Sequence, residues 1–235
     1  MIHFSVDDTI EIFRYLTQNN CRSVFENPVL SYFKKLNEEY GFTVSMYCFY
    51  EKDGFNLSMC SDKYKKEFEE NANWLKFGFH ALDDKSNYSD GDASKFKDDL
   101  IKTVDSLKRI VSDKAITYDV RLGFGQGNKE CIKTMKECFG DFNVLYGVDD
   151  ERIVYYLNEE ENRHYLETGE FYDENIGITI KNCERRLECN TNFVENLKKI
   201  NDDKINPFFT HESRLGDDVI LDYIRLLCET GQAFI

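Results

Sequence analysis

The sequence predicts an α/β fold in which about seven parallel strands close into a deformed barrel with helices outside. Two observations carry this prediction. Strand-like and helix-like segments alternate along almost all of the 235 residues, and such alternation is typical of parallel sheets covered by helices. No proline- or glycine-rich linker interrupts the alternation. We therefore expect residues 1–235 to form one domain.

The predicted strands are short runs rich in β-branched and aromatic residues. They cover residues 2–6, 42–50, 75–80, 116–121, 142–147 and 206–211. We expect these strands to form one mainly parallel sheet that curls into a barrel. Residues 150–185 lose the alternation and are predicted to be a strand-rich excursion.

The predicted helices are the amphipathic segments between these strands. They cover residues 9–19, 29–40, about 62–72, 96–111, 128–140, about 191–200 and 217–229. The clearest one carries apolar side chains spaced four, four, three and four residues apart from Phe96 to Val111, which is helical spacing. Gly41 suits the end of the second helix, and Asn128 suits the start of the helix that closes at Gly140.

Composition restricts the classes of partner. The formal net charge of −14 argues against nucleic acid or an anionic membrane surface as the main partner. The sequence has no secretory leader at its start and no apolar run near the roughly 20 residues that span a bilayer, so we expect a cytoplasmic protein. Cys131, Cys138 and Cys228 lie on apolar helical faces, as buried reduced thiols do in such proteins. No Cys-x-x-Cys pair suggests a zinc thiolate site.

Acidic and imidazole side chains follow three of the predicted strands. The first strand runs into Asp7 and Asp8, the strand 75–79 runs into His80 and then Asp84, and the last strand ends at His211. Because the carboxyl ends of parallel strands meet at one edge of the fold, we expect these side chains to converge in one pocket. Such groups at that edge are typical of a metal-assisted hydrolytic site.

Each of these features also has a structural interpretation. Asp8 and Glu11 have the spacing of a capping box that would open the first helix. His80 and Asp84 are four residues apart, which suits two ligands of a divalent metal, but they also fit a solvated acidic loop beside a structural histidine. His211 at the end of an apolar run could equally be a hydrogen-bonded histidine of the core.

Arg121 ends the fourth predicted strand, where a guanidinium could orient a catalytic carboxylate through a bidentate contact. The glycine-rich segment 123–127 follows directly. Its spacing does not match a dinucleotide-binding loop, so a close turn over a cleft is favoured over a phosphate cradle. His164 lies in the excursion and is predicted to be an ordinary surface residue.

Taken in chain order, these residues resemble the motifs of the polysaccharide deacetylases, the NodB-homology group of carbohydrate esterase family 4. The resemblance spans almost the whole chain. Ser5-Val6-Asp7-Asp8 resembles the family motif Thr-Phe-Asp-Asp. The segment from His80 to Asp84 resembles a motif with two metal-binding histidines four residues apart, with Asp84 in place of the second. Arg121-Leu122-Gly123-Phe124 resembles Arg-x-Pro-Tyr without the proline and tyrosine, and Phe209-Thr210-His211 resembles the closing Leu-x-His motif.

The resemblance implies a deformed (β/α) barrel and a role for each matched residue. Asp7 would be the general base, steered by Arg121, and His211 the general acid. Asp8, His80 and Asp84 would hold a divalent metal ion, with zinc first and cobalt, nickel or manganese as alternatives. No counterpart of the family's Asp-x-x-Asp-Trp motif is recognised.

The function implied is a metal-dependent hydrolase that deacetylates an N-acylated carbohydrate or a related amide. The expected partner is therefore a small-molecule or oligosaccharide substrate, and neither nucleic acid nor a membrane is expected. Two alternatives stay open: a non-catalytic carbohydrate-binding or structural module with the same fold, and another hydrolytic reaction on the same barrel, because fold does not fix function.

Overall fold

A computed structural model describes residues 1–148, 150–183, 185–189, 193–198, 200 and 204–235. Its ten strands are β1 (Ile2–Thr9), β2 (Val44–Phe49), β3 (Glu51–Lys52), β4 (Phe55–Asn56), β5 (Leu75–Ala81), β6 (Val144–Tyr146), β7 (Glu170–Asp173), β8 (Ile178–Lys181), β9 (Arg185–Arg186) and β10 (Asn206–His211). Within these ranges, no helix is both long enough and apolar enough to cross a membrane.

The described α-helices lie between these strands or, for the last one, after them. They are α1 (Glu11–Gln18), α2 (Pro28–Tyr40), α3 (Lys65–Glu70), α4 (Ala93–Val111), α5 (Lys129–Cys138), α6 (Glu159–Thr168), α7 (Phe193–Leu197) and α8 (Asp218–Cys228). Residues 191, 192 and 199 of the predicted helix 191–200 lie outside the described residues.

A parallel sheet of five strands forms the centre of the fold, in the order β5-β2-β1-β10-β9. The first two predicted strands pair in parallel, with Ser5 opposite Ser45. Strand β10 lies parallel on the other side of β1. The predicted α/β fold with a parallel sheet is therefore confirmed, and the N-terminal strand lies at the centre of that sheet. In a parallel sheet all carboxyl ends face one edge, and this edge carries the candidate site.

The prediction of one barrel sheet of about seven strands is confirmed only in part. Strand β6 pairs in parallel with β8, and β8 pairs antiparallel with β7, in a separate sheet. The predicted strand 116–121 is not a regular strand among the described residues. It touches its two neighbours through single bridges, Phe77 with Ile116 and Val120 with Leu145. The ladder is therefore interrupted between β5 and β6.

A close approach between backbones explains this interruption. A Cβ atom on Gly78 of β5 would lie 2.7 Å from Cγ1 of Val120 and 3.0 Å from the carbonyl oxygen of Thr117. The segment 116–120 therefore packs onto β5 at the glycine, where no side chain separates the two segments.

The prediction of a strand-rich excursion over residues 150–185 is wrong in its first half, because α6 occupies part of it. The signal for this helix is a capping box: Asn158 accepts hydrogen bonds from the N–H groups of Glu160 and Glu161, and the Glu161 carboxylate accepts one from the N–H of Asn158. Strands β7 and β8 fill the second half. His164 on α6 is exposed, as predicted.

Predicted helix boundaries agree with the structure where a capping residue sets them. Gly41 ends α2 in the left-handed conformation, with φ of +69°, and the side chain of Asn128 accepts a hydrogen bond from the N–H of Cys131 at the start of α5. Cys131 and Cys228 are buried, as predicted. Beneath the helices, the apolar side chains of β1, β2 and β5 form the centre of the core, among them Phe4, Met46 and Phe77.

Candidate active site

A pocket of about 330 Å³ opens at the carboxyl ends of the central strands. The structure brings the predicted site residues to its wall, namely Asp7, Asp8, His80, Asp84, Arg121 and His211. Strand pairing explains this convergence, because Asp7 at the end of β1 lies in register with His211 at the end of β10. His80 ends the outer strand β5 and reaches the same pocket.

Asp7 and Arg121 form a buried ion pair at the base of the pocket. Nη1 of Arg121 donates to Oδ2 of Asp7 at 2.8 Å, and both side chains are 3% exposed. The arginine also donates from Nε to the carbonyl oxygen of Gly147 at 2.8 Å, and its guanidinium lies 3.7 Å from the centre of the Phe209 ring. Burial alone would lower the pKa of Arg121, but the charge and hydrogen bond of Asp7, together with the neighbouring Cys183 and Tyr47, outweigh burial and raise this pKa.

The second oxygen of the Asp7 carboxylate has no hydrogen-bond partner among the described residues. This atom, Oδ1, is buried, and Asp7 lines the pocket. A buried carboxylate oxygen without a donor is unusual, because it forfeits hydrogen bonds that water would otherwise supply. An oxygen without a donor keeps its lone pairs, as a proton acceptor requires.

Asp8 and His80 form a second pair on the wall of the pocket. Nε2 of His80 lies 3.2 Å from Oδ1 of Asp8. Nδ1 of His80 lies 2.7 Å from the carbonyl oxygen of Arg121, and because a carbonyl only accepts, Nδ1 carries the proton. Burial acts to raise the pKa of Asp8, but its hydrogen bond with His80 and the charge of that ring hold this pKa below its usual value.

Asp8 adopts a backbone conformation that is rare for residues other than glycine. Its φ is +60°, in the left-handed region, which costs free energy for a side chain with a Cβ. Such strained residues cluster at functional sites, where the surrounding structure holds them. The strain turns Asp8 out of the alternation of β1, so that Asp7 and Asp8 both reach the pocket.

The predicted capping box of Asp8 and Glu11 is wrong, because Glu212 performs the capping. The carboxylate of Glu212 accepts hydrogen bonds from the N–H groups of Ile10, Glu11 and Ile12, at 2.7, 2.7 and 2.8 Å. These are the first donors of α1, which a helix cannot satisfy internally. Burial raises the pKa of Glu212 to about 7, while the three donors act in the opposite direction. The cap fixes the backbone that follows Asp8.

His211 has a carboxylate partner that the sequence did not reveal. Nδ1 of His211 bonds to Oε1 of Glu188, and the same carboxylate accepts a hydrogen bond of 2.8 Å from the Thr210 hydroxyl. Glu188 belongs to the short helix Leu187–Cys189 after β9. Burial alone would lower the pKa of His211, but Glu188, Asp7 and Asp8 outweigh burial and raise this pKa.

This arrangement predicts that His211 titrates above the ordinary value of 6.5 and that Glu188→Gln lowers its pKa, because the charge of the partner is lost. A raised pKa in the folded state means that the pair stabilises the protein fully below pH 6.5 and that this stabilisation is lost as pH rises through the pKa of folded His211. Histidine NMR titration of the parent and variant measures both values. Exposed His164 is the internal control, and an unchanged pKa of His211 would contradict the pairing.

Asp84 differs from the other predicted site residues in its exposure to solvent. It lines the pocket but is exposed. Among the residues that the structure describes, no group of three or more His, Cys, Asp or Glu side chains is arranged to hold a metal ion. The structure therefore assembles two of the three predicted metal ligands, Asp8 and His80.

The glycine-rich segment after Arg121 forms a tight turn on the wall of the pocket, as predicted for a turn over a cleft. A Cβ on Gly125, whose φ is +63°, would lie 2.3 Å from Cγ1 of Val148, so only glycine fits there. The preceding residue, Phe124, has a φ of +59° and is 52% exposed beside the pocket.

No protein-family model and no curated protein matches the sequence. Solved structures do match the fold. A candidate polysaccharide deacetylase from Mycobacterium smegmatis matches with a TM-score of 0.59 at 10% identity, over 100% of this chain and 85% of that one. A family 4 acetyl xylan esterase from Clostridium thermocellum, in complex with a cobalt ion, matches with a TM-score of 0.51 at 9% identity, over 100% of this chain and 86% of that one.

A CE4 family pseudoenzyme from Bacillus anthracis matches with a TM-score of 0.46 at 10% identity, over 100% of this chain, which spans 62% of the length of that one. The two matches with the higher TM-scores agree with the parallel sheet and its helices described above. This chain therefore has the polysaccharide deacetylase fold of carbohydrate esterase family 4.

Proposed function

We propose that this chain is a metal-dependent hydrolase that removes the acyl group from an N-acylated carbohydrate or a related amide, and that residues 1–235 form its one domain. One observation carries the proposal: three pairs with distinct chemistry meet at one pocket, which at least one member of each pair lines. They are the buried Asp7–Arg121 pair, the Asp8–His80 pair and the His211–Glu188 pair. They supply a proton acceptor, two metal ligands and a proton donor.

The Asp8–His80 pair fits a divalent ion in its donor atoms and its spacing. Bond lengths of about 2.0–2.2 Å to a tetrahedral zinc place two of its ligands roughly 3.4 Å apart, and the two donor atoms here are 3.2 Å apart. The bond from Nδ1 of His80 to a backbone carbonyl leaves Nε2 to bind the metal, as is usual for ligating histidines. Asp84 is proposed as the third ligand.

A divalent ion bound there supplies a Lewis acid that polarises the acyl carbonyl and lowers the pKa of water. In the proposed reaction Asp7 is the general base. Its Oδ2 is occupied by Arg121, so Oδ1, which has no partner among the described residues, takes the proton of the attacking water. Arg121 holds the carboxylate in one orientation.

His211 is the proposed general acid. The bond between its Nδ1 and Glu188 fixes the ring and leaves Nε2 to donate a proton to the nitrogen of the leaving amine. The neighbouring carboxylates raise the pKa of His211, which increases the protonated fraction near neutral pH.

A non-catalytic carbohydrate-binding module with this fold is the second candidate. The observation in its favour is the exposed position of Asp84, which leaves the described donors short of a three-ligand set. The two candidates differ in what they do to a bound sugar, so turnover separates them.

The test is a hydrolysis assay on purified protein that has been stripped with a chelator and reloaded with zinc, cobalt, nickel or manganese. We expect release of acetate and free amine from at least one member of a panel of N-acetylated sugars and oligosaccharides, and loss of this activity when the chelator is added. If sugars bind but none is hydrolysed with any of the four metals, the protein is the binding module.

A further inference from the structure

Acidic side chains and arginines line different parts of the pocket. The acidic residues Asp7 and Asp8 lie on β1, the central strand of the five-stranded sheet, and Asp84 follows β5 at one edge of it. Arg186 ends β9, the strand at the opposite edge of that sheet, and Arg152 comes from the segment after β6. Both arginines line the pocket. Neither arginine is needed for the proposed proton transfers or for holding a metal.

Contacts around the two arginines hold their guanidinium groups on this wall. Arg152 makes a bidentate ion pair with Asp150, in which Nε donates to Oδ1 at 2.7 Å and Nη2 donates to Oδ2 at 2.5 Å. The guanidinium of Arg186 lies 5.3 Å from the centre of the Phe209 ring. The hydrogen bond from Arg152 is the largest cause of a lowered pKa at Asp150, and the charge of Arg186 contributes to the same effect.

Guanidinium groups in this position favour a particular ligand chemistry. Arg152 also donates from Nη1 to the carbonyl oxygen of Phe124, at 3.4 Å. A guanidinium always carries its positive charge in a protein. Its planar fork matches the oxygens of a carboxylate or a phosphate, whereas sugar hydroxyls need no positive charge. Two arginines on one pocket wall also make a local positive charge in a chain whose net charge is −14.

We propose that the substrate of this pocket carries an anionic substituent, a carboxylate or a phosphate, which binds at Arg152 and Arg186 while the acyl group faces Asp7 and His80. This inference rests on the proposed function for the reacting end of the substrate. The anionic end concerns the opposite wall and can be measured without turnover.

Binding of three sugars to the metal-stripped full-length protein tests the proposal by calorimetry. The probes are N-acetylglucosamine, which is neutral, N-acetylmuramic acid, which carries a carboxylate, and N-acetylglucosamine 6-phosphate. We expect at least one charged sugar to bind about 10-fold or more tightly than the neutral one, because hydrogen bonds between charged groups are the stronger kind. Which charged sugar binds more tightly distinguishes carboxylate from phosphate recognition.

Substitution of the arginines should remove this preference. Arg152→Gln and Arg186→Gln should each weaken binding of the preferred charged sugar by about 10-fold and leave the neutral sugar unaffected. Arg186→Lys, which keeps the charge, should retain part of the preference. The matched control is Arg225→Gln on α8, since Arg225 also forms ion pairs, with Asp222 and Glu229, but lies outside the pocket.

Equal binding of charged and neutral sugars, absence of binding by either charged sugar, or equal losses in Arg225→Gln and Arg152→Gln would overturn the inference. The outcome is separable from that of the hydrolysis assay. Arginine-dependent binding without hydrolysis upholds the anionic ligand and rejects the enzyme. Hydrolysis of neutral sugars without any preference for charged ones does the reverse.

Discussion

Replacing Arg121 by methionine lowers the free energy of unfolding by about 3–5 kcal/mol, because it leaves the charge of Asp7 buried without its partner. Both side chains of this pair are 3% exposed, so water cannot replace the lost hydrogen bond. Denaturant unfolding of the parent and the variant, compared at pH 7, measures the loss.

Two further variants show whether the loss comes from the uncompensated charge. Arg225→Met removes an arginine from exposed ion pairs on α8 and should cost far less stability, because exposed ion pairs contribute little. Adding Asp7→Asn to Arg121→Met removes the buried negative charge and should recover part of the stability. A loss in Arg121→Met as small as in Arg225→Met would mean that the pair is not buried as described.

His80→Ala and Asp7→Asn both abolish most deacylation, but for different reasons. His80→Ala removes one of the two assembled metal ligands, so the variant should lose the ion together with the activity while the protein stays folded. Asp7→Asn keeps Asp8 and His80, and its amide oxygen still accepts from Arg121. This variant should therefore retain the metal and lose turnover by about 10²–10⁴-fold, the usual contribution of a general base.

Metal content and rate are measured on the same preparations of the parent and the two variants. The assigned roles predict different metal contents for the two variants, since Asp7→Asn should keep the ion and His80→Ala should lose it. If Asp7→Asn loses the ion, or if His80→Ala keeps both ion and activity, Asp7 and His80 do not have the roles assigned to them.

The sequence predicted the convergence at the site because strand ends alone specify it. Asp7, His80 and His211 each close a β-rich run, and the parallel arrangement brings such ends to one edge. The strained φ of Asp8 could not be predicted, because alternation along a strand would send Asp7 and Asp8 to opposite faces.

The residues that sequence reasoning missed act through long-range contacts. Glu212 was not predicted as a capping residue, since the helix start that it caps lies about 200 positions earlier in the chain. Glu188 lies on a short helix after a two-residue strand, so no periodic pattern marks it. Asp84 was predicted as a metal ligand but is not assembled with the others. Its spacing from His80 suited a metal site, but its segment does not continue as a helical turn.

The fold was predicted correctly where local signals agree with tertiary packing. Helix α4 has both helical spacing and a buried apolar face. The segment 116–121 has a β-rich composition, but its close packing at Gly78 replaces a regular ladder. Helix α6 was missed although its capping box is visible in the sequence at Asn158 and Glu161.

The central claim is that Asp8 and His80 hold a catalytic divalent ion beside Asp7. Anomalous diffraction from crystals of the parent and of His80→Ala, grown with zinc or cobalt, tests it most directly. We predict one strong peak between Oδ1 of Asp8 and Nε2 of His80 in the parent and no peak there in His80→Ala. A parent protein that hydrolyses N-acetylated sugars with no ion at this position, or with its ion bound elsewhere, would contradict the claim.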